Sequence, residues 1–186
     1  MPISAKEHWQ LSKPPITGRN GLVASQHYLA SDAGAKILQM GGNAMDAAIA
    51  TGLVLGIVEP WLSGIGGGGY MTVYQAKQDR VQVVEFGMQA PLASSPADYP
   101  LADQGTNASD SFNWPAVTND TNIHGPLAVA IPGYLKGMGL ASQAFGSLPF
   151  SKLIEPACQQ AELGLPLDWY SCSKINQLAR GLRQYK

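Results

Sequence analysis

Three glycines, Gly64, Gly66 and Gly69, stand at the spacing G-x-G-x-x-G that can cradle a dinucleotide pyrophosphate. They belong to a denser run, Gly64-Ile65-Gly66-Gly67-Gly68-Gly69, with five glycines in six positions. Phosphate binding needs the glycines to follow a strand and open a helix, so that the anion meets the helix N-terminus. Here a helical pattern precedes the run and a strand pattern follows it. Glu85 is followed by Phe86 in what reads as a hairpin, and does not end a second parallel strand. The run is therefore expected to be a tight helix-to-strand bend and not a nucleotide site. Glycines lose packing and add backbone entropy that folding must remove. Either a neighbour approaches this backbone closely, or the chain takes angles closed to other residues. Other chemistry-bearing residues do not cluster. His8, His27 and His124 are scattered, and Cys158 and Cys172 lack metal-ligand spacing and are too few for a disulfide framework. No metal or other cofactor is expected, and both cysteines are read as reduced thiols.

The elements around the run are well patterned. Residues 1–20 read as an extended lead-in, and Gly21 to Ser25 as a short strand. Ser31 is suited to cap a helix starting at Asp32, and Gly41-Gly42 to stop it. Asn43 and Asp46 form a capping-box pattern for a second helix, which is apolar or small on every face to Val58 and so must be buried on several sides. Pro60 ends it. Tyr70 to Tyr74 and Val81 to Phe86 read as the two strands of a hairpin. Residues 92–125 show no periodicity and read as a long irregular surface segment with a mobile tip near 103–111. Leu127 to Ile131 reads as a short strand, Tyr134 to Phe145 and Ser147 to Gly164 as helices, and Trp169 onward as a partial helix.

Composition bounds the function. Of 186 residues, 45% are hydrophobic and only 13% charged, against roughly 25% charged in an ordinary domain. A surface so poor in charge is expected to be covered in part by something else. The net charge is -1, from 12 basic and 13 acidic residues, so nucleic acid and anionic membranes are not expected partners. No apolar leader core opens the sequence and no run is long enough to span a bilayer, so the chain is read as cytoplasmic.

Several blocks together resemble one family. They are Ala30-Ser31-Asp32-Ala33-Gly34, Gly41-Gly42-Asn43-Ala44-Met45-Asp46-Ala47-Ala48, and Glu59-Pro60-Trp61-Leu62-Ser63 running through the glycines to Met71. Ala128-Val129-Ala130-Ile131-Pro132-Gly133, Gly146-Ser147-Leu148-Pro149 and Ala161-Glu162-Leu163-Gly164 continue the series. In order and spacing, from about Gly21 to Asp168, they resemble the N-terminal part of the gamma-glutamyltransferase (gamma-glutamyltranspeptidase) family. The resemblance implies an α+β fold, the αββα sandwich of the N-terminal-nucleophile hydrolases. Residues 21–186 would supply only part of it: a buried helix pair, a β-hairpin and C-terminal helices. It also implies a precursor that cuts itself in two, with a threonine at the new N-terminus as nucleophile and its amine as base. Substrates of the family are gamma-glutamyl amides such as glutathione.

Two departures from the family pattern matter. None of Thr17, Thr51, Thr72, Thr106, Thr118 or Thr121 lies in a nucleophile motif, so no catalytic residue is expected here. The chain alone is expected to be inactive and poorly folded, with the remainder of the precursor as its partner. The family strand ends Phe-Arg-Glu-x-Ala-Pro, and the resemblance assigns its arginine to the substrate α-carboxylate. This chain has Phe86-Gly87-Met88-Gln89-Ala90-Pro91, with glycine at the arginine position. Gln89 is then either a substrate-binding amide without charge or a strand-end amide facing solvent. The altered motif favours another small amide over a strict glutathione substrate. The rival reading is a truncated, non-catalytic piece that only binds partners.

Overall fold

The computed structural model describes residues 14–106 and 114–183. The first 13 residues, most of the lead-in, and half of the tip expected at 103–111 lie outside that range. Two antiparallel helices come first, α1 (Tyr28–Gln39) and α2 (Ala44–Val58). The hairpin β1 (Tyr70–Gln75) and β2 (Arg80–Glu85) follows, then a second antiparallel pair, β3 (Leu101–Thr106) and β4 (Pro115–Val117). Three helices complete the order: α3 (Tyr134–Phe145), α4 (Phe150–Leu163) and α5 (Trp169–Leu182).

α2 is the centre. α1, α3 and α4 all pack on it, and Ile49, Ala50, Val54 and Val58 are essentially inaccessible. Burying each larger aliphatic side chain stabilises by about 1.5–3 kcal/mol. The Asn43 carboxamide accepts from the Met45 and Asp46 amides at 2.9 and 3.1 Å, and Asp46 accepts from the Asn43 amide at 2.9 Å, completing the capping box. Asp46 does more than cap. It is 0% exposed and also accepts from the Ser147 hydroxyl at 2.5 Å and the Ser147 amide at 3.1 Å, in the α3–α4 connection. Burial pushes its pKa up, but the hydrogen bonds from the Ser147 hydroxyl and from the Asn43, Ser147 and Leu148 amides outweigh burial. The carboxyl is held below its ordinary value of 3.8.

α1 begins earlier than expected. His27 caps it, its Nδ1 accepting from the Leu29 amide at 3.3 Å, because the Ser31 hydroxyl is engaged with that of Ser25 at 2.7 Å. Its end is as expected. Gly41 takes φ +89°, and the Gly42 and Gly41 amides return to the Ile37 and Leu38 carbonyls at 3.0 and 3.1 Å.

The hairpin register is Met71↔Val84 and Thr72↔Val83. Met71, Val73 and Val84 pack against the helical core, whereas Tyr70, Tyr74, Val81 and Val83 on the opposite face are 58–69% exposed. Gly21 to Ser25 is not a strand, since no partner lies beside it among the described residues. Conversely, β3 and β4 form where an irregular segment was expected. Their sequences lack alternation, and their pairing is confined to the ends, at Leu101↔Val117 and Thr106↔Pro115. Leu127 to Ile131 opens with a single 3-10 turn at Pro126–Ala128 and straightens only toward Ile131.

Candidate functional site

Three segments meet at the end of the hairpin. Phe86 leaves β2 and pairs by main chain with Gly69, at 3.0 and 3.2 Å, while its ring packs edge-on against Tyr134 at 6.0 Å. The Gly67 carbonyl accepts from the Gly133 and Tyr134 amides, both at 3.1 Å, at the start of α3. Beyond Gly87, Gln89 exchanges two main-chain hydrogen bonds with Ile131, at 2.8 and 3.2 Å. The glycine run, the 86–91 strap and the 129–134 segment are thus stitched together. Tyr134 is nearly buried beneath the junction. Burial raises its pKa, and a hydrogen bond with Ser63 offsets part of the rise.

This arrangement accounts for glycine at position 68 in particular. None of the run's residues has a positive φ, so unusual angles are not the reason. A Cβ at Gly68 would lie 2.6 Å from the Phe86 carbonyl oxygen and 2.7 Å from the Met88 amide nitrogen, so the strap crosses directly over it. Gly64 and Gly66 have nothing within 4 Å of an added Cβ. The amides of Gly67 and Gly69 are already bonded, to the carbonyls of Gly64 and Phe86 at 3.1 and 3.2 Å, and are not directed at an anion. β1, not a helix, follows the run.

Gln89 is exposed, and it lines a shallow depression of about 390 Å³ with Met88, Tyr99, Asn122, Leu127 and Val129. Every lining residue is uncharged. One wall is pinned by the Tyr99 hydroxyl, which donates to the Leu127 carbonyl at 2.9 Å. Gly87 is half-buried at the start of the strap. A Cβ there would meet only the Tyr70 hydroxyl, at 3.8 Å, an ordinary contact. The fold does not demand glycine at this position. Of the threonines, the Thr51 hydroxyl donates to the Ala47 carbonyl at 2.7 Å, and Thr72 lies on the exposed hairpin face.

Asn122 and Tyr99 join Gln89 in the depression, and neither was singled out from the sequence. They lie in the segment without periodicity, where only turn-forming residue types gave a signal. Two larger or comparable hollows lie elsewhere, about 390 Å³ between α1 and α4 and about 590 Å³ beside residues 20–25. Neither includes Gln89. Cys158 and Cys172 are unpaired and exposed. Among the described residues no three His, Cys, Asp or Glu side chains are placed to hold a metal, and no helix is long and apolar enough to cross a membrane.

Comparison with known proteins places this geometry. The gamma-glutamyltranspeptidase family profile matches residues 30–186. The glutathione hydrolase proenzyme of Bacillus subtilis (strain 168) is 36% identical over 170 residues, covering 87% of this chain and 27% of that protein. The acylase ACY 1 proenzyme of Pseudomonas sp. (strain V22) is 37% identical over 183 residues, covering 98% of this chain and 32% of that protein. The crystal structure of Helicobacter pylori gamma-glutamyltranspeptidase superposes with a TM-score of 0.78 at 30% identity, over 93% of this chain and 46% of that one. The fold is accordingly part of the N-terminal-nucleophile hydrolase sandwich seen in those transpeptidases. The chain spans about a third or less of the curated relatives named here, at 27% and 32% of their lengths. That profile spans the glycine bend, the hairpin and the three C-terminal helices, and the chain belongs to the gamma-glutamyltranspeptidase family.

Proposed function

We propose that this chain is the N-terminal portion of a threonine amidohydrolase or acyltransferase whose acyl substrate lacks the usual charged α-carboxylate contact. Residues 21–186 form one partial domain, and the remainder of the precursor completes it. The relatives named above are proenzymes, which supports a precursor divided into two subunits. The apolar outer face of the hairpin, with Tyr70, Tyr74, Val81 and Val83, is a surface suited to burial by that remainder. The incoming threonine hydroxyl attacks the amide carbonyl and passes its proton to the threonine's own amine. The C–N bond breaks, the leaving amine takes the proton, and an acyl ester remains for water or an amino acid to accept. Alone, the chain lacks that nucleophile and is inactive.

The observation that carries the substrate reading is the uncharged lining beside Gln89, together with Gly87, which has room for a side chain and holds none. Gln89 offers an amide hydrogen bond to an acyl oxygen, about half the strength of an arginine's charge-assisted pair. The test uses the full-length gene product. It should separate into two polypeptides, the second beginning with threonine by mass spectrometry. The mature enzyme should cleave carbamoylbutyryl p-nitroanilide with kcat/KM at least about 10-fold above gamma-glutamyl p-nitroanilide, the order expected from a charge-matched contact. Gly87→Arg should raise the gamma-glutamyl kcat/KM by about 10-fold or more. Equal or better turnover of the gamma-glutamyl probe by the unaltered enzyme would overturn the substrate reading.

A further inference from the structure

Asn122, which lines the same depression as Gln89, follows a tight turn. Asn119 and Asp120 both take left-handed angles, φ +58° and +52°, a region that Asn and Asp enter more readily than other L-residues. The turn is held rather than loose. The Thr118 amide donates to the Pro100 carbonyl at 2.9 Å, and the Ile123 and His124 amides both return to the Asp120 carbonyl, at 2.8 and 2.9 Å. The product of the turn is specific: Asn122 is brought into the same depression as Gln89, although 33 positions separate them in the sequence. Leu127, Ala128 and Val129 line the same depression and make part of it apolar.

We propose that Asn122 is a second acyl-recognition residue that acts with Gln89, and that the pair selects an acyl chain with an apolar body and an uncharged hydrogen-bonding end. Each amide presents both a carbonyl acceptor and an NH₂ donor. Two such groups in a partly apolar depression satisfy a carboxamide or hydroxyl, but supply no positive charge to a carboxylate. The inference rests on the acyl-transfer reading of the same site and extends it to a named residue and substrate class.

The test is steady-state kinetics on the mature enzyme from the full-length gene. Three probes are compared: carbamoylbutyryl, butyryl and gamma-glutamyl p-nitroanilide. Asn122→Ala should raise KM for the carbamoylbutyryl probe about 10-fold, the scale of one hydrogen bond lost to a bound ligand, with kcat within about twofold. The butyryl probe, which has no polar end, should keep its KM. If Asn122→Ala does not mature, Asn122→Asp retains the shape while losing the NH₂ donors, and the same selective KM rise is expected. An unchanged carbamoylbutyryl KM, or an equal rise for butyryl, overturns the role of Asn122 while the unaltered enzyme still turns over. Absence of turnover of all three probes by the unaltered enzyme overturns the acyl-transfer reading, and this inference with it.

Discussion

Two capping boxes of the same local design sit in very different parts of this molecule. Asn43 and Asp46 open α2, and Ser95 and Asp98 open a single 3-10 turn at Pro96–Asp98. In each, the acidic residue accepts from the cap backbone amide, at 2.9 Å for Asp46 and 2.8 Å for Asp98. Asp46 is fully buried and reaches across to Ser147, so it joins two helical connections. Asp98 is half-buried and, among the described residues, holds its own turn. The difference teaches that a cap's energetic weight comes from what the rest of the chain brings to it. It also separates the molecule into a helical part, whose polar groups are interlocked, and a strap-and-loop part, whose surface is more open.

The glycine run offers the sharpest way to break that division. Gly68→Ala sets a methyl against the backbone of Phe86 and Met88, neither of which can move without shifting the strap. The expected loss is about 3 kcal/mol, read as a lower denaturation midpoint or loss of soluble protein. Gly66→Ala, two residues away, meets nothing and should stay within about 0.5 kcal/mol. Equal effects would mean that the close crossing at Gly68 is not what the run is for.

Next in size is the pair of caps. Asp46→Ala leaves the Ser147 hydroxyl and three amides without their acceptor, and should cost about 2–3 kcal/mol by urea titration. Asp98→Ala should cost about 0.5–1 kcal/mol in the same assay. Similar losses at the two sites would undo the comparison.

The smallest expected effect is in the pH dependence. The Asp46 pKa is lower in the folded protein than its ordinary value of 3.8. Its stabilisation is therefore fully present above about that ordinary value and is lost as pH falls toward and through the folded-state pKa. Asp46→Asn should lower the denaturation midpoint at pH 7 and make the decline below pH 4 shallower. An unchanged acid limb would show that the carboxylate charge contributes nothing there.

Much of the helical part was legible in the sequence. The α2 capping box, the Gly41 stop, the hairpin strands and the start of α3 at Tyr134 all rest on residues within a few positions of one another. The misreadings have a common cause. Ser31 looked like a cap, but its hydroxyl was taken by Ser25. Gly21 to Ser25 has strand composition without a strand to pair with among the described residues. β3 and β4 have a partner without the composition, and their register is set only at their ends. Gln89 was flagged by comparison with a family motif, yet nothing near it in sequence pointed to Ile131, Tyr99 or Asn122.

By itself, then, the sequence determined the local structure and the family: caps, stops, a hairpin, and motif blocks whose order identifies the fold. Only the tertiary structure decided what these features serve. It brought Ser147 to Asp46 across 101 positions, laid the 86–88 strap over Gly68, and placed Asn122 in the depression that Gln89 lines. The physical reason is range. Backbone angles and helix caps answer to neighbours a few residues away, whereas burial, crowding and the surroundings of an exposed amide are made by segments that meet only when the chain has folded.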